Sequence, residues 1–215
     1  MVESLYQPLC STLVTAEEKL LPQGFRVIFS GNIGIAQDIE NIIAAANLLK
    51  NYKNIKWIFL GDGSKRQWLE ENIQTQALSE TVFWLGQHPV VAMPRFFACA
   101  DALLVSLKKD PVFSLTIPGK IQSYLASAKP IIASLDGEGG RIITEAQAGF
   151  VSESSHAQSL AENVLKLSQL EAQQRKQLGL NGYQYFNKHF QRESLLGQLE
   201  QWMKELQENH SLCNL

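Results

Sequence analysis

Several short loops in this 215-residue chain carry residues suited to holding an anion. The first is Gly31-Asn32-Ile33-Gly34-Ile35-Ala36-Gln37, which follows an apolar run. Glycine lets the main chain approach a ligand closely, and the N–H groups that open the next helix favour negative charge. A tight strand-to-helix turn would use the same two glycines with no ligand present. The second loop is Gly61-Asp62-Gly63-Ser64-Lys65-Arg66. Lys65 and Arg66 fall in a helix first turn, where the helix dipole gives cations nothing. A nearby diphosphate would account for them, and so would an ordinary exposed pair. The third is Gly86-Gln87-His88-Pro89, whose backbone could read the edge of a base. His88 has no acidic neighbour in sequence to fix its tautomer, so it reads as a surface histidine and not a catalytic one. The fourth runs from Lys108 to Lys120 and is long for such a connection. Its end, Thr116-Ile117-Pro118-Gly119-Lys120, precedes a helix. Pro118 sets a first-turn φ, Gly119 opens space, and Lys120 could add positive charge beside a bound phosphate. Gly137-Glu138-Gly139-Gly140-Arg141 is one further loop, or only a flexible turn.

Other chemistries lack their residues. The first loop has the spacing GxxG, with no third glycine, and Asp62 comes too late to act as the ribose-holding acid of a dinucleotide fingerprint. No GxxxxGK[ST] loop, HxxxH or HExxH occurs. Cys10, Cys99 and Cys213 are far apart and form no CxxC, which argues against zinc and redox motifs and for free thiols in a reducing compartment. A net charge of −2 and a pI of about 6.1 do not suggest a nucleic-acid binder. The N-terminus lacks a signal-peptide pattern, and no run approaches the roughly 20 apolar residues of a membrane span.

The elements around these loops follow from hydrophobic period. Strands are expected at Phe25–Ser30, Ile55–Leu60, Val82–Leu85, Asp101–Leu107, Pro130–Ser134 and, briefly, Phe150–Val151. Asp38 is a plausible N-cap for a helix with Ile39, Ile42, Ile43, Ala46 and Leu49 on one face, and Ser64 could cap the next. Helices are also expected from Pro89 to Cys99, with a restart at Met93-Pro94, from Lys120 to Ser127, and near Ile142–Ala148. The remainder reads as helical over about 156–170, 171–187 and 192–207. Continuous apolar strands alternating with amphipathic helices predict an α/β, three-layer Rossmann-like domain: a six-stranded parallel sheet, helices on both faces and a C-terminal helical tail. Ligands in such sheets bind beyond the strand carboxyl ends, where the glycine loops lie. The division expected is a lead-in at 1–24, outside the core, a Rossmann-like domain at 25–190, and a helix and tail at 191–215.

The ordered set Phe29-Ser30-Gly31-Asn32-Ile33-Gly34, Phe59-Leu60-Gly61-Asp62-Gly63, Val82-Phe83-Trp84-Leu85-Gly86, the run from Phe97 to Val105, and the run from Tyr124 to Ser134 resembles the C-terminal domain of glycosyltransferase family 4. Those are retaining enzymes built from two Rossmann-like halves, the GT-B fold. The Thr116–Lys120 stretch is closer to the bacterial surface-polysaccharide aminosugar transferases. The resemblance implies a hexosyltransferase that takes its sugar from a nucleotide-diphosphate sugar. It implies no cofactor and no metal, and a separate N-terminal half for a glycan or lipid-linked acceptor. The setting would be cytoplasmic, touching a membrane only through that acceptor. By resemblance, Gly31, Asn32, Gly34, Lys65, Arg66, Thr116, Gly119 and Lys120 would face the diphosphate. Gly86, Gln87, His88 and Ser123 would face base and ribose, and Glu138 the sugar; no catalytic residue is assigned. The family's usual pair of glutamates falls at Leu115 and Ser123, its first-loop arginine and lysine at Asn32 and Gln37, and its glycine before the Lys-Pro pair at Ala128. These departures keep open a non-catalytic nucleotide-sugar-binding or interaction module. A sugar-nucleotide epimerase shares the architecture, with no motif that requires it.

Overall fold

The computed structural model describes residues 16–212. Six parallel strands form one sheet: β1 (Phe25–Ser30), β2 (Ile55–Leu60), β3 (Val82–Trp84), β4 (Ala102–Ser106), β5 (Ile131–Ser134) and β6 (Gly149–Ser152), in the order β3-β2-β1-β4-β5-β6. That order reverses direction between β1 and β4, which makes their carboxyl ends the switch point of a doubly wound sheet. Nearly every residue of β1, β2, β4 and β5 is buried, as a sheet covered on both faces requires.

Alternation along the strands splits the core in two. Val27, Phe29, Trp57, Phe59 and Leu104 pack with α1 (Ile39–Leu48), α2 (Arg66–Thr75) and α7 (Ala157–Gln169). Ile28, Ile58, Leu103, Val105 and Ala133 pack on the other face with α3 (Met93–Ala98), α5 (Gly119–Ala126) and α6 (Glu138–Glu145). Two long helices follow, α8 (Ala172–His189) against α5, then α9 (Arg192–Leu212). Glu171 and Gln174 close a capping box at the start of α8. Among the described residues no helix is long and apolar enough to cross a membrane.

The structure corrects several expectations. Leu21 of the expected lead-in is 5% exposed and belongs to the core, so the packed unit starts before residue 25. The rest of that lead-in up to residue 15, with Cys10, and Cys213 lie outside the described residues. The connection from Lys108 to Lys120 contains a short helix, α4 (Pro111–Ser114), because Asp110 accepts from the Val112 N–H and Pro111 occupies N1. The Gly137–Arg141 loop is the start of α6. Helix α3 does restart at Met93, after a 3₁₀ turn at Val90–Ala92. Ser64 caps nothing; Lys65 holds the N-cap position of α2. Asp38 sits at the N-cap of α1 in a left-handed conformation, and its carboxylate accepts from the Ser155 hydroxyl at 2.5 Å instead of capping.

Three helices end on a left-handed residue that is not glycine: Ala77 after α2, Ala128 after α5 and Gln147 after α6. Each turns the chain back toward the sheet, and after α2 and α6 the next N–H reaches the fifth residue upstream (Leu78 to Ile73, Ala148 to Ile143).

Candidate functional site

Beyond the carboxyl ends of β1, β2 and β3 lies a hollow of about 370 Å³. Ser30, Gly31 and Asn32 line it from the first loop, Leu60, Gly61 and Asp62 from the second, and Gln87 and His88 from the third, with Val90 and Met93 beside them. Of the residues singled out in sequence, it gathers Gly31, Asn32, Gln87 and His88.

The loops are laced together by main-chain bonds. Gly31 N–H donates to Leu60 O (2.8 Å), Ile33 N–H to Asp62 O (2.8 Å), Lys65 N–H to Ile33 O (2.9 Å) and Gly61 N–H to Gly86 O (2.8 Å). Glycine is required at two crossings. Gly61 has φ +141°, and a β-carbon there would run into the Gly31 carbonyl. Gly63 has φ +159°, and a β-carbon would run into Ile33 O and Asn32 Oδ1. Gly34 is buried behind Asn32, whose side-chain amide would lie 2.6 Å from any β-carbon at Gly34.

Lys120 comes from the other side of the switch point. Its Nζ lies 4.0 Å from the centroid of the Phe29 ring, and its Cε would lie 2.7 Å from a β-carbon on Gly31. Lys120 is half-buried, with an aromatic face and a bare glycine for neighbours and no ion pair among the described residues. Burial pulls its pKa down to about 8 from 10.5. Gly119, the first residue of α5, has open space where a side chain would be, and the first N–H groups of a helix have no partner within it.

Lys65 and Arg66 are already engaged. Lys65 pairs with Glu40 at 2.7 Å; burial works to raise the Glu40 pKa, but the Lys65 contact, a backbone hydrogen bond and the charge of Lys108 together hold that carboxyl below its ordinary value. Arg66 lies on the Trp84 ring, 4.3 Å from its centroid, between Asp62 (4.0 Å) and Glu70 (3.5 Å), and does not line the hollow. Gly86 supplies its carbonyl to Gly61 from just behind the wall. His88 Nε2 is 3.0 Å from Leu85 O; a carbonyl only accepts, so this nitrogen carries the proton. Thr116 donates its hydroxyl to Phe113 O, Ser123 is half-buried on α5, and Glu138 is half-buried and accepts from the Arg141 guanidinium. None of these three lines the hollow, and Leu115 is 80% exposed. Among the described residues no cluster of three or more His, Cys, Asp or Glu side chains is placed to hold a metal.

Sequence reasoning passed over Ser30, Met93, Val90 and Trp84. Ser30 Oγ meets Met93 Sδ at 3.2 Å, and the Tyr124 hydroxyl accepts from the Ser30 N–H at 3.2 Å. Trp84 donates its indole N–H to Gly61 O at 2.9 Å. The signal available was position: Ser30 and Trp84 close their strands, one residue from a glycine loop in the case of Ser30 and two in the case of Trp84.

Comparison with known proteins accords with this geometry. Residues 15–185 match the family described as glycosyl transferases group 1. The chain is 34% identical over 134 residues to the probable glycosyltransferase WbjE of Pseudomonas aeruginosa, covering 60% of this chain and 32% of that protein. It thus spans about a third of the length of that relative. Its fold is similar to that of the C-terminal domain of the group 1 glycosyl transferase LpcC from Francisella tularensis, with a TM-score of 0.73 and 19% identity over 88% of this chain and 98% of that one. Anabaena HepE in complex with UDP and glucose gives a TM-score of 0.79 at 16% identity, over 94% of this chain and 54% of that one. At such identities the likeness is one of fold, a Rossmann-like domain of the GT-B type. With the family match covering most of its length, the chain belongs to the glycosyl transferases group 1 family.

Proposed function

We propose that this chain is the donor-binding half of a retaining glycosyltransferase, and that it holds the nucleoside diphosphate of a nucleotide sugar in the hollow beyond β1, β2 and β3. The diphosphate lies between the Gly31–Asn32 loop and the start of α5, with Lys120 as its cation and Gly34 supporting the loop from behind. The base lies toward Gln87 and His88. No metal is needed, because the lysine and the helix-start N–H groups neutralise the leaving diphosphate. The acceptor, a glycan or a lipid-linked sugar, is met by another domain.

One observation carries the reading: a half-buried lysine without a carboxylate, pressed onto Gly31 at the switch point. Support comes from the family match and from the solved relative whose description names UDP and glucose. Titration calorimetry with UDP and GDP, in the presence of EDTA, tests it. Binding of one of them by the wild type, weakened by about 1–3 kcal/mol in Lys120→Ala, is expected. Affinity unchanged by that substitution would remove Lys120 from the site.

Leu115 and Ser123, where glutamates are usual, favour a second reading in which the chain binds a nucleotide sugar without transferring it. Joined to an acceptor domain, a chain that binds UDP-sugar yet yields no product with any glycan acceptor would fit that reading.

A further inference from the structure

We propose that Trp84 and Arg66 form a clasp that fixes the Gly61–Gly63 turn against the hollow, so that Arg66 is a positioning residue for the donor and not a ligand of its phosphates. The inference rests on the nucleotide-binding reading above but is carried by separate observations.

The Gly61–Gly63 turn needs holding. Both of its glycines have φ values that side chains rarely adopt, and both pass against the first loop with no room to spare. Asp62 O holds the first loop through Ile33 N–H, and Gly61 and Asp62 line the hollow. A shift of this turn therefore moves the walls on both the first- and second-loop sides. Besides the Ile33 bond, Gly61 N–H donates to Gly86 O, Gly63 N–H to Asp62 Oδ1 and Arg66 N–H to Gly63 O, and Gly61 O accepts from the Trp84 indole at 2.9 Å. The last is a side-chain bond across 23 residues, and phenylalanine or leucine at position 84 could not make it.

Arg66 completes the clasp. Its guanidinium carbon lies over the Trp84 ring, 4.3 Å from the centroid, an arrangement favourable in charge. Asp62 and Glu70 flank it at 4.0 and 3.5 Å. The guanidinium thus spans from the turn, through Asp62, to the ring that holds the turn. Two carboxylates beside it supply the negative charge a phosphate would otherwise bring.

Two nucleotides separate the roles. UDP and UMP differ by the β-phosphate, so loss of a β-phosphate ligand weakens UDP much more than UMP. Loss of the clasp displaces the shared wall and weakens both by one factor. Arg66→Ala and Trp84→Phe are each expected to lower affinity for UDP and UMP equally, by about 3- to 10-fold. Without nucleotide, Trp84→Phe is expected to speed amide exchange at Gly61 and Ile33 at least 5-fold while leaving the amides of β4 and β5 unchanged. Arg66→Lys, which keeps the charge but loses the guanidinium, is expected to behave like Arg66→Ala. A drop confined to UDP in Arg66→Ala, or rescue of UDP binding by Arg66→Lys, would overturn the proposal. So would unaltered exchange in Trp84→Phe. If Trp84→Phe does not fold, Arg66→Ala decides by the same exchange at Gly61 and Ile33. If the wild type binds neither UDP nor GDP, the nucleotide reading fails, and the exchange measurements still judge the clasp.

Discussion

Lys120 carries an electrostatic cost for holding its charge where it is largely removed from water. A pKa near 8 in place of 10.5 corresponds to about 3 kcal/mol against the charged form. Below pH 8 both the folded and unfolded chains hold the proton, so the folded state bears that cost in full. Between about pH 8 and 10.5 the folded chain releases the proton while the unfolded chain keeps it, so stability rises with pH through that window. Lys120→Met is expected to raise stability at pH 7, by up to about 3 kcal/mol, and to flatten the rise; denaturant titrations at pH 7 and pH 9.5 would check both. Binding runs the other way. A diphosphate restores the charged lysine, so UDP affinity should fall above pH 8 by up to tenfold per pH unit, with proton uptake on binding. Calorimetry in two buffers of different ionisation enthalpy at pH 8.5 would detect that uptake, and its absence would mean that Lys120 does not meet the ligand's charge.

At the scale of elements, two glycines separate fold from ligand. Gly61→Ala puts a methyl group into the Gly31 carbonyl and should cost about 2–4 kcal/mol of stability, read as a fall in Tm. Gly119→Ala meets nothing within 4 Å at a helix start. It should leave stability unchanged or raise it by about 0.5 kcal/mol. Yet it should weaken UDP binding if the diphosphate lies against α5. Equal UDP affinity in Gly119→Ala would move the diphosphate away from that helix. The strands were legible because fully buried parallel strands are written as unbroken apolar runs: β1 and β2 have the bounds the sequence implies. Three loops of the hollow were legible because glycines follow those runs. What escaped was set by partners far along the chain. Asp38 answers to Ser155, Trp84 to Gly61, and Lys65 to Glu40, and no window of local sequence contains both members of such a pair. The partial burial of Lys120 escaped for the same reason, since Phe29 and Gly31 reach it only across the switch point.

For the molecule as a whole, α9 stands apart. Leu195, Leu199, Trp202 and Leu206 recur at helical spacing with Leu196 and Met203 beside them, and all six are exposed. An apolar stripe of this kind binds hydrophobic dyes and promotes association. Replacing Trp202 and Leu206 together by glutamate should reduce dye fluorescence and self-association while moving the Tm little, because the stripe lies outside both halves of the core. A large loss of Tm would instead mean that α9 is packed in solution. The helix ends at Ala77, Ala128 and Gln147 have a different consequence. A left-handed backbone costs a residue with a β-carbon about 1 kcal/mol or more, and glycine escapes most of it. The chain therefore holds unspent thermostability at three helix ends that do not line the hollow: Ala77→Gly, Ala128→Gly and Gln147→Gly, combined, would yield a hardier protein with the hollow unchanged.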